Sequence, residues 1–181
     1  MLLWGARGMG KSSLVRAAVL AIRDEGYDLA LVQADAADVE SLLLLLDSLR
    51  GVARRFLLFI DDWSPETAAG DVHGLRSLLD GGVMARPANV CVAVTGNRRH
   101  LVERGATSTA VMAERHVRDR EEDELALADR FGLVLGFHGA SQPDYLAMVE
   151  GYARHYGLPF DRADALQWAL ARGSRSGRVA W

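Results

Sequence analysis

The sequence predicts an α/β fold: a three-layer, parallel five-stranded sheet between helices, followed by a small helical appendage. Three observations predict it. Five predominantly apolar runs, at residues 2–4, 29–33, 56–60, 90–94 and 133–137, recur along the chain, that at 56–60 without interruption. Continuous rather than alternating apolar strands belong to sheets buried on both faces. Helical periodicity separates several of these runs, the alternation that produces crossover connections. From residue 141 onward the strand pattern stops and only helical segments follow. The reading divides the chain into an α/β core, residues 1–140, and a helical lid, residues 141–181.

The first apolar run leads directly into GARGMGKS, residues 5–12, and then into a helical segment through residue 22. This is the Gly-x-x-x-x-Gly-Lys-Ser pattern of a phosphate-binding P-loop, in its required strand–loop–helix setting. Its chance frequency in a chain of this composition is about one in a thousand. Backbone N–H groups of the loop and the positive end of the helix dipole converge on phosphates. The predicted cradle is Gly5, Ala6, Arg7, Gly8, Met9, Gly10, Lys11, Ser12 and Ser13. Lys11 is the one lysine among 21 basic residues. A compact ammonium on a flexible stem suits a phosphate chain better than the wide guanidinium fork. The pattern implies a bound nucleoside triphosphate, with Lys11 on the terminal phosphates and Ser12 on Mg²⁺. Only four residues precede the loop, so either the first strand is short or an upstream segment is missing.

Composition bounds the alternatives. With 181 residues, half of them hydrophobic and a quarter charged, the chain fits one soluble domain with an appendage. A net charge of −3 provides no global basic field for nucleic acid. The single cysteine, Cys91, falls in an apolar run and reads as a core residue. The lack of a disulfide framework suits a reducing, cytoplasmic setting. The longest leucine run, residues 42–46, is far too short to span a bilayer. The P-loop's place at the start leaves no room for a secretory signal. The five histidines lack metal-ligand spacing and read as surface or packing residues. Trp4, Trp63, Trp168 and Trp181 are scattered and form no base-stacking platform.

The remaining elements follow in order. Asp24-Glu25-Gly26 stops the first helix; residues 38–50 and 70–79 read as helices, the latter closed by Gly81-Gly82. Residues 104–124 are dense in charge and read either as a solvated helix or loop, or as a partner-binding element. Residues 143–157, 162–171 and 174–180 read as the helices of the appendage.

The chemistry gathers at the ends of the apolar strands. Asp61 ends the third run, a carboxylate on a rigid strand that would organise Mg²⁺ beside the P-loop serine. Asp62 stands where a catalytic base orients the attacking water, though it is a methylene shorter than glutamate; Glu66 is the reserve. The plainer reading of the pair is a strand-ending turn. Asn97, after the fourth run, either meets the γ-phosphate or caps the turn before Arg98-Arg99. Arg130, before the fifth run, is either a surface arginine or an arginine finger reaching a neighbouring subunit's γ-phosphate. Arg175 and Arg178 are phosphate-contact candidates in the appendage.

This ordered set resembles an AAA+ ATPase: Walker A at residues 5–12, Walker B at Asp61-Asp62, a sensor-1-like Asn97, a finger-like Arg130 and a sensor-2-like Arg178. The strings PheIleAspAspTrpSer, LeuAspGlyGlyVal, GlyAsnArgArgHisLeu and AspArgPheGlyLeu resemble an uncharacterised bacterial family of predicted AAA+ ATPases. The resemblance implies sheet order 5-1-4-3-2, ATP with Mg²⁺, and a homo-oligomeric ring or filament with Arg130 acting in trans. Three departures are the short N-terminal flank, aspartate as second Walker B acid, and a lid ending at Trp181.

Three functions are open on this reading. The first is an oligomeric ATPase that remodels or loads a protein or DNA client. The second is a nucleotide-dependent binding module with little hydrolysis, and the third a small-molecule kinase. No aromatic-hydrophobic-glycine pore loop follows the second strand, where Ala34-Asp35-Ala36-Ala37 stands, which weighs against a threading unfoldase. Acidic net charge weighs against strong nonspecific DNA binding, with a local patch at Arg98-Arg99 left open.

Overall fold

The computed structural model describes residues 1–34, 39–63, 79, 86–97 and 129–181. Strand β1 (Leu2–Gly5) passes through the loop into helix α1 (Lys11–Asp24), followed by β2 (Leu29–Ala34), α2 (Val39–Leu49), β3 (Arg55–Trp63), β4 (Val90–Gly96) and β5 (Val134–Phe137). The five strands form one sheet in the order β2-β3-β4-β1-β5, the predicted 5-1-4-3-2 read from the other edge. All four pairings are parallel. The predicted helix at 70–79 lies outside the described residues apart from Leu79. Residues 104–124, Glu66, Arg98, Arg99, His73, His100 and His116 also lie outside them.

Strand parity assigns the two faces. Phe56, Leu58 and Ile60 of β3 join Val90, Val92 and Val94 of β4 in one cluster with Leu42 and Leu46 of α2. The opposite face gathers Leu3, Phe59 and Ala93 under Val15 of α1. Alternation by two residues therefore directs Asp61, with Phe59, toward the α1 face. Cys91 shares the parity of Ala93 but is exposed, contrary to its reading as a core residue.

Among the boundaries that differ from the sequence reading, two bear on the site. Strand β3 does not end at Ile60 but runs through Asp61-Asp62 to Trp63, with a register irregularity between Ile60 and Trp63. Unbroken alternation would send Asp62 into the core beside Ile60. The extra residue instead turns Asp62 outward and lets Trp63 join the α2-side cluster. Burying the indole favours the bulge. The last helix is also shorter than the predicted 174–180, covering only Gly177–Ala180. Gly173 in the left-handed region stops the preceding helix, and Ser176 is extended.

Three helices follow the sheet, α3 (Gln142–Tyr156), α4 (Arg162–Arg172) and α5 (Gly177–Ala180). A capping box starts α3: Ser141 Oγ accepts from Asp144 N–H, and Asp144 Oδ2 accepts from Ser141 N–H at 3.1 Å. Asp161 Oδ1 caps α4, accepting from the N–H groups of Ala163 and Asp164 at 2.7 and 3.0 Å. The three helices share their own cluster of Tyr145, Leu146, Ala165, Ala169 and Ala180. Among the described helices none is long and apolar enough to cross a membrane.

Candidate nucleotide site

The carboxyl ends of β1, β3, β4 and β5 meet around the loop that opens α1. Gly5 is the first fixed point. Its φ of 125° is left to glycine, and a Cβ there would lie 2.1 Å from the Phe137 carbonyl oxygen. That oxygen accepts from Ala6 N–H at 2.7 Å, which fastens the loop's entry to β5. At the loop's exit, Gly10 is left-handed and its carbonyl accepts the Leu14 N–H at 2.8 Å, starting the helix.

Within the loop, Lys11 Nζ donates to the Gly5 and Ala6 carbonyls, each at 2.9 Å. Partial burial holds the ammonium below the ordinary lysine pKa. Asp62 and Asp61 push it up, and Arg7 pushes it down. Ser13 is exposed on the first turn of α1, and Met9 is half-buried. Arg7 is exposed at the loop's apex. With the Asn97 amide turned to present its oxygen, Arg7 Nε and Nη2 both donate to it, the latter at 3.0 Å.

The centre of the site is a hydroxyl–carboxylate cluster. Ser12 Oγ donates to Asp61 Oδ1 at 2.7 Å. Thr95 Oγ1 donates to the same oxygen at 2.6 Å and accepts from Asp62 N–H at 2.9 Å. Thr95 is buried, with 2% of its surface exposed. Asp62, with φ 55°, is the one non-glycine residue among those described to have positive φ. The Ile60–Val94 register brings Asp61 level with Thr95 at the strand ends.

Of the predicted residues, the structure brings together the loop, Lys11, Ser12, Asp61 and Asp62, with Asn97 against Arg7. Arg178 lies beside the loop: its N–H donates to the Gly8 carbonyl at 3.1 Å. Arg175 instead lines a hollow within the appendage with Ala140, Gln142, Leu166 and Leu170. Arg130 stands on an exposed turn just before β5, at the amino-terminal edge of the sheet and thus at the end away from the loop. His138 and His155 pack edge-on against Trp4 and Tyr156, in keeping with their packing role. The sequence reading missed Thr95. Its signal was available: a hydroxyl residue closing an apolar strand, with the parity of Ala93.

The family profile described as "Protein of unknown function (DUF815)" matches residues 1–181. The chain belongs to the DUF815 family. No curated protein matches the sequence. Solved structures do resemble the DUF815 chain. Aeropyrum pernix ORC2, in ADPNP-ADP complexes, is 15% identical with a TM-score of 0.60, over 99% of this chain and 54% of that one. The replication initiator DnaA, bound to AMPPCP and single-stranded DNA, is 14% identical with a TM-score of 0.53, over 99% and 52%. C. elegans PCH-2 is 20% identical with a TM-score of 0.55, over 88% and 42%. The DUF815 chain thus spans about half the length of these structures. Strand order and neighbours together give it the AAA+ fold.

Proposed function

We propose that this DUF815 chain is an AAA+ module that binds ATP and hydrolyses it at a subunit interface, driving the remodelling or loading of a partner. The observation that carries the reading is Asp61 Oδ1, held jointly by Ser12 Oγ at 2.7 Å and Thr95 Oγ1 at 2.6 Å beside the Lys11 ammonium. The fold, shared with ORC2 and DnaA structures that contain nucleotide analogues, supports it.

A hydroxyl and a carboxylate already at hydrogen-bond distance are the hard oxygen donors that Mg²⁺ takes alongside phosphate and water. Ser12 and Asp61 fit that ion. Held there, the ion would supply positive charge against the charge that develops on the phosphates. Lys11 releases the Gly5 and Ala6 carbonyls and turns to the terminal phosphates. Asp61 keeps Ser12 in place. Asp62, turned outward by the bulge, orients the attacking water, and Asn97 leaves Arg7 to meet the γ-phosphate. Arg130, at the far edge of its own sheet, serves the neighbouring subunit's site, and Arg178 serves its own. The core comprises residues 1–140 and the lid residues 141–181.

Lys11→Ala is the direct test. It should lower ATP turnover by at least about 100-fold, the scale of losing one electrostatic contact to the transition state. Parent-like phosphate release from that variant would exclude this site. A second reading is a binding module with little hydrolysis, favoured by the shorter reach of Asp62 relative to glutamate. Tight ATP binding with phosphate release at the level of Lys11→Ala would select it.

A further inference from the structure

The appendage meets the P-loop through a backbone hydrogen bond, with the Ser176 side chain beside it. Gly8 has φ 73°, and a Cβ on it would lie 3.0 Å from Ser176 Oγ and 3.1 Å from Arg178 Cβ. Gly177 reciprocates: a Cβ there would lie 3.0 Å from the Gly8 carbonyl oxygen. That same oxygen accepts the Arg178 N–H at 3.1 Å. Ser176, between the stop of α4 and the start of α5, is buried against this contact. Two side-chain-free positions therefore allow the first turn of α5 to seat directly on the apex of the loop. The α3–α5 cluster is internally packed, so α5 moves with the whole lid.

A peptide unit is planar and trans, so the Gly8 carbonyl and the Met9 N–H point in opposite directions. Holding the carbonyl on α5 fixes the Met9 N–H pointing away from α5. We propose that the Gly8–Gly177 contact is a backbone latch through which the lid sets the P-loop's donor geometry, with Gly177 as a positioning residue independent of the Arg178 guanidinium. The latch rests on the phosphate-site reading for its consequence, but its structure can be tested without nucleotide.

Three variants separate the backbone from the side chain. Gly177→Ala adds a methyl group that must push on the Gly8 oxygen. Arg178→Ala removes the guanidinium and keeps the N–H. Arg178→Pro removes both, at a first-turn position where proline is compatible with a helix. Hydrogen exchange of the nucleotide-free proteins, read on peptides covering the loop and α5, should speed up in Gly177→Ala and Arg178→Pro. It should stay at the parent rate in Arg178→Ala and in β3 and β4 peptides of every variant. Titration with a fluorescent ADP should show Arg178→Pro binding about 3- to 10-fold more weakly than Arg178→Ala, the scale of one hydrogen bond. Gly177→Ala should weaken similarly against the parent. Equal exchange in Arg178→Pro and Arg178→Ala, with parent-like Gly177→Ala, overturns the latch. The exchange difference combined with equal affinities overturns its positioning role. A parent that binds no ADP overturns the phosphate-site reading and, if the exchange difference is present, leaves the latch standing.

Discussion

Thr95 connects the two aspartates that follow Ile60. One hydroxyl, itself buried, donates to the Asp61 carboxylate and accepts from the Asp62 N–H. A hydrogen bond to a charged group is worth more than a neutral one, and its loss leaves a buried acceptor short of a donor. Thr95→Val keeps the shape and removes both bonds. It should destabilise the protein by about 1–2 kcal/mol and lower ATP turnover roughly 10-fold with little change in KM, while Thr95→Ser retains both properties near the parent. Thermal melts alongside steady-state kinetics check this; a valine variant with parent kcat would remove Thr95 from the mechanism. Asp62 carries the complementary tension. A left-handed aspartate costs about 1 kcal/mol that glycine avoids, partly offset by glycine's greater chain entropy. Asp62→Gly should hold or raise stability by up to about 1 kcal/mol while lowering hydrolysis at least 100-fold, the scale of a lost general base. Denaturant unfolding and phosphate release would show the two effects parting.

At the scale of elements, the sequence was most legible where one local rule governed. The apolar runs found every described strand, because strands of a parallel sheet covered on both faces are mostly apolar. The P-loop was legible because glycine and lysine at fixed spacing have few other uses. Strand β3 was misjudged at its end because a bulge depends on what Trp63 finds to pack against, not on the local pattern. The helix expected at 174–180 was cut to one turn because its first residues follow the Gly173 stop and Ser176 is buried by the loop. Caps behave locally: Ser141 and Asp144 form the start of α3 from sequence alone. The Ser141 hydroxyl, and then its N–H, hold the Asp144 carboxyl below the ordinary aspartate range. With the folded pKa depressed, this contribution is present above the unfolded aspartate pKa and is lost as pH falls through the folded one. An NMR acid titration should place the Asp144 midpoint below that of a free aspartate, and Ser141→Ala should move it back up.

For the whole molecule, one chain brings Ser12 and Asp61 together at the loop and seats its C-terminal helices on that loop, but it carries Arg130 at the opposite end of the sheet. A site completed by a neighbour's arginine should turn over faster per subunit as protein concentration rises, until assembly saturates. Arg130→Ala should bind ATP like the parent and hydrolyse it about 1,000-fold or more slowly, the scale of an arginine finger. Mixing it with Asp62→Asn subunits should recover part of the activity, since each supplies what the other lacks. A rate independent of concentration, with no recovery on mixing, would place the entire reaction within one subunit.

The sequence by itself determined the strands, the P-loop and the α/β class, and it named most members of the candidate site. Each rests on local spacing or on apolar periodicity, which are properties of short segments, whereas the sheet order was implied by the family resemblance. Tertiary structure alone decided the rest. It put Thr95 on Asp61 through the register of β3 and β4. It turned Asp62 outward so that Trp63 could be buried. It brought Gly177 against Gly8, two positions separated by almost the whole chain. Such contacts depend on which faces meet after packing, and a residue's neighbours in sequence carry little record of that.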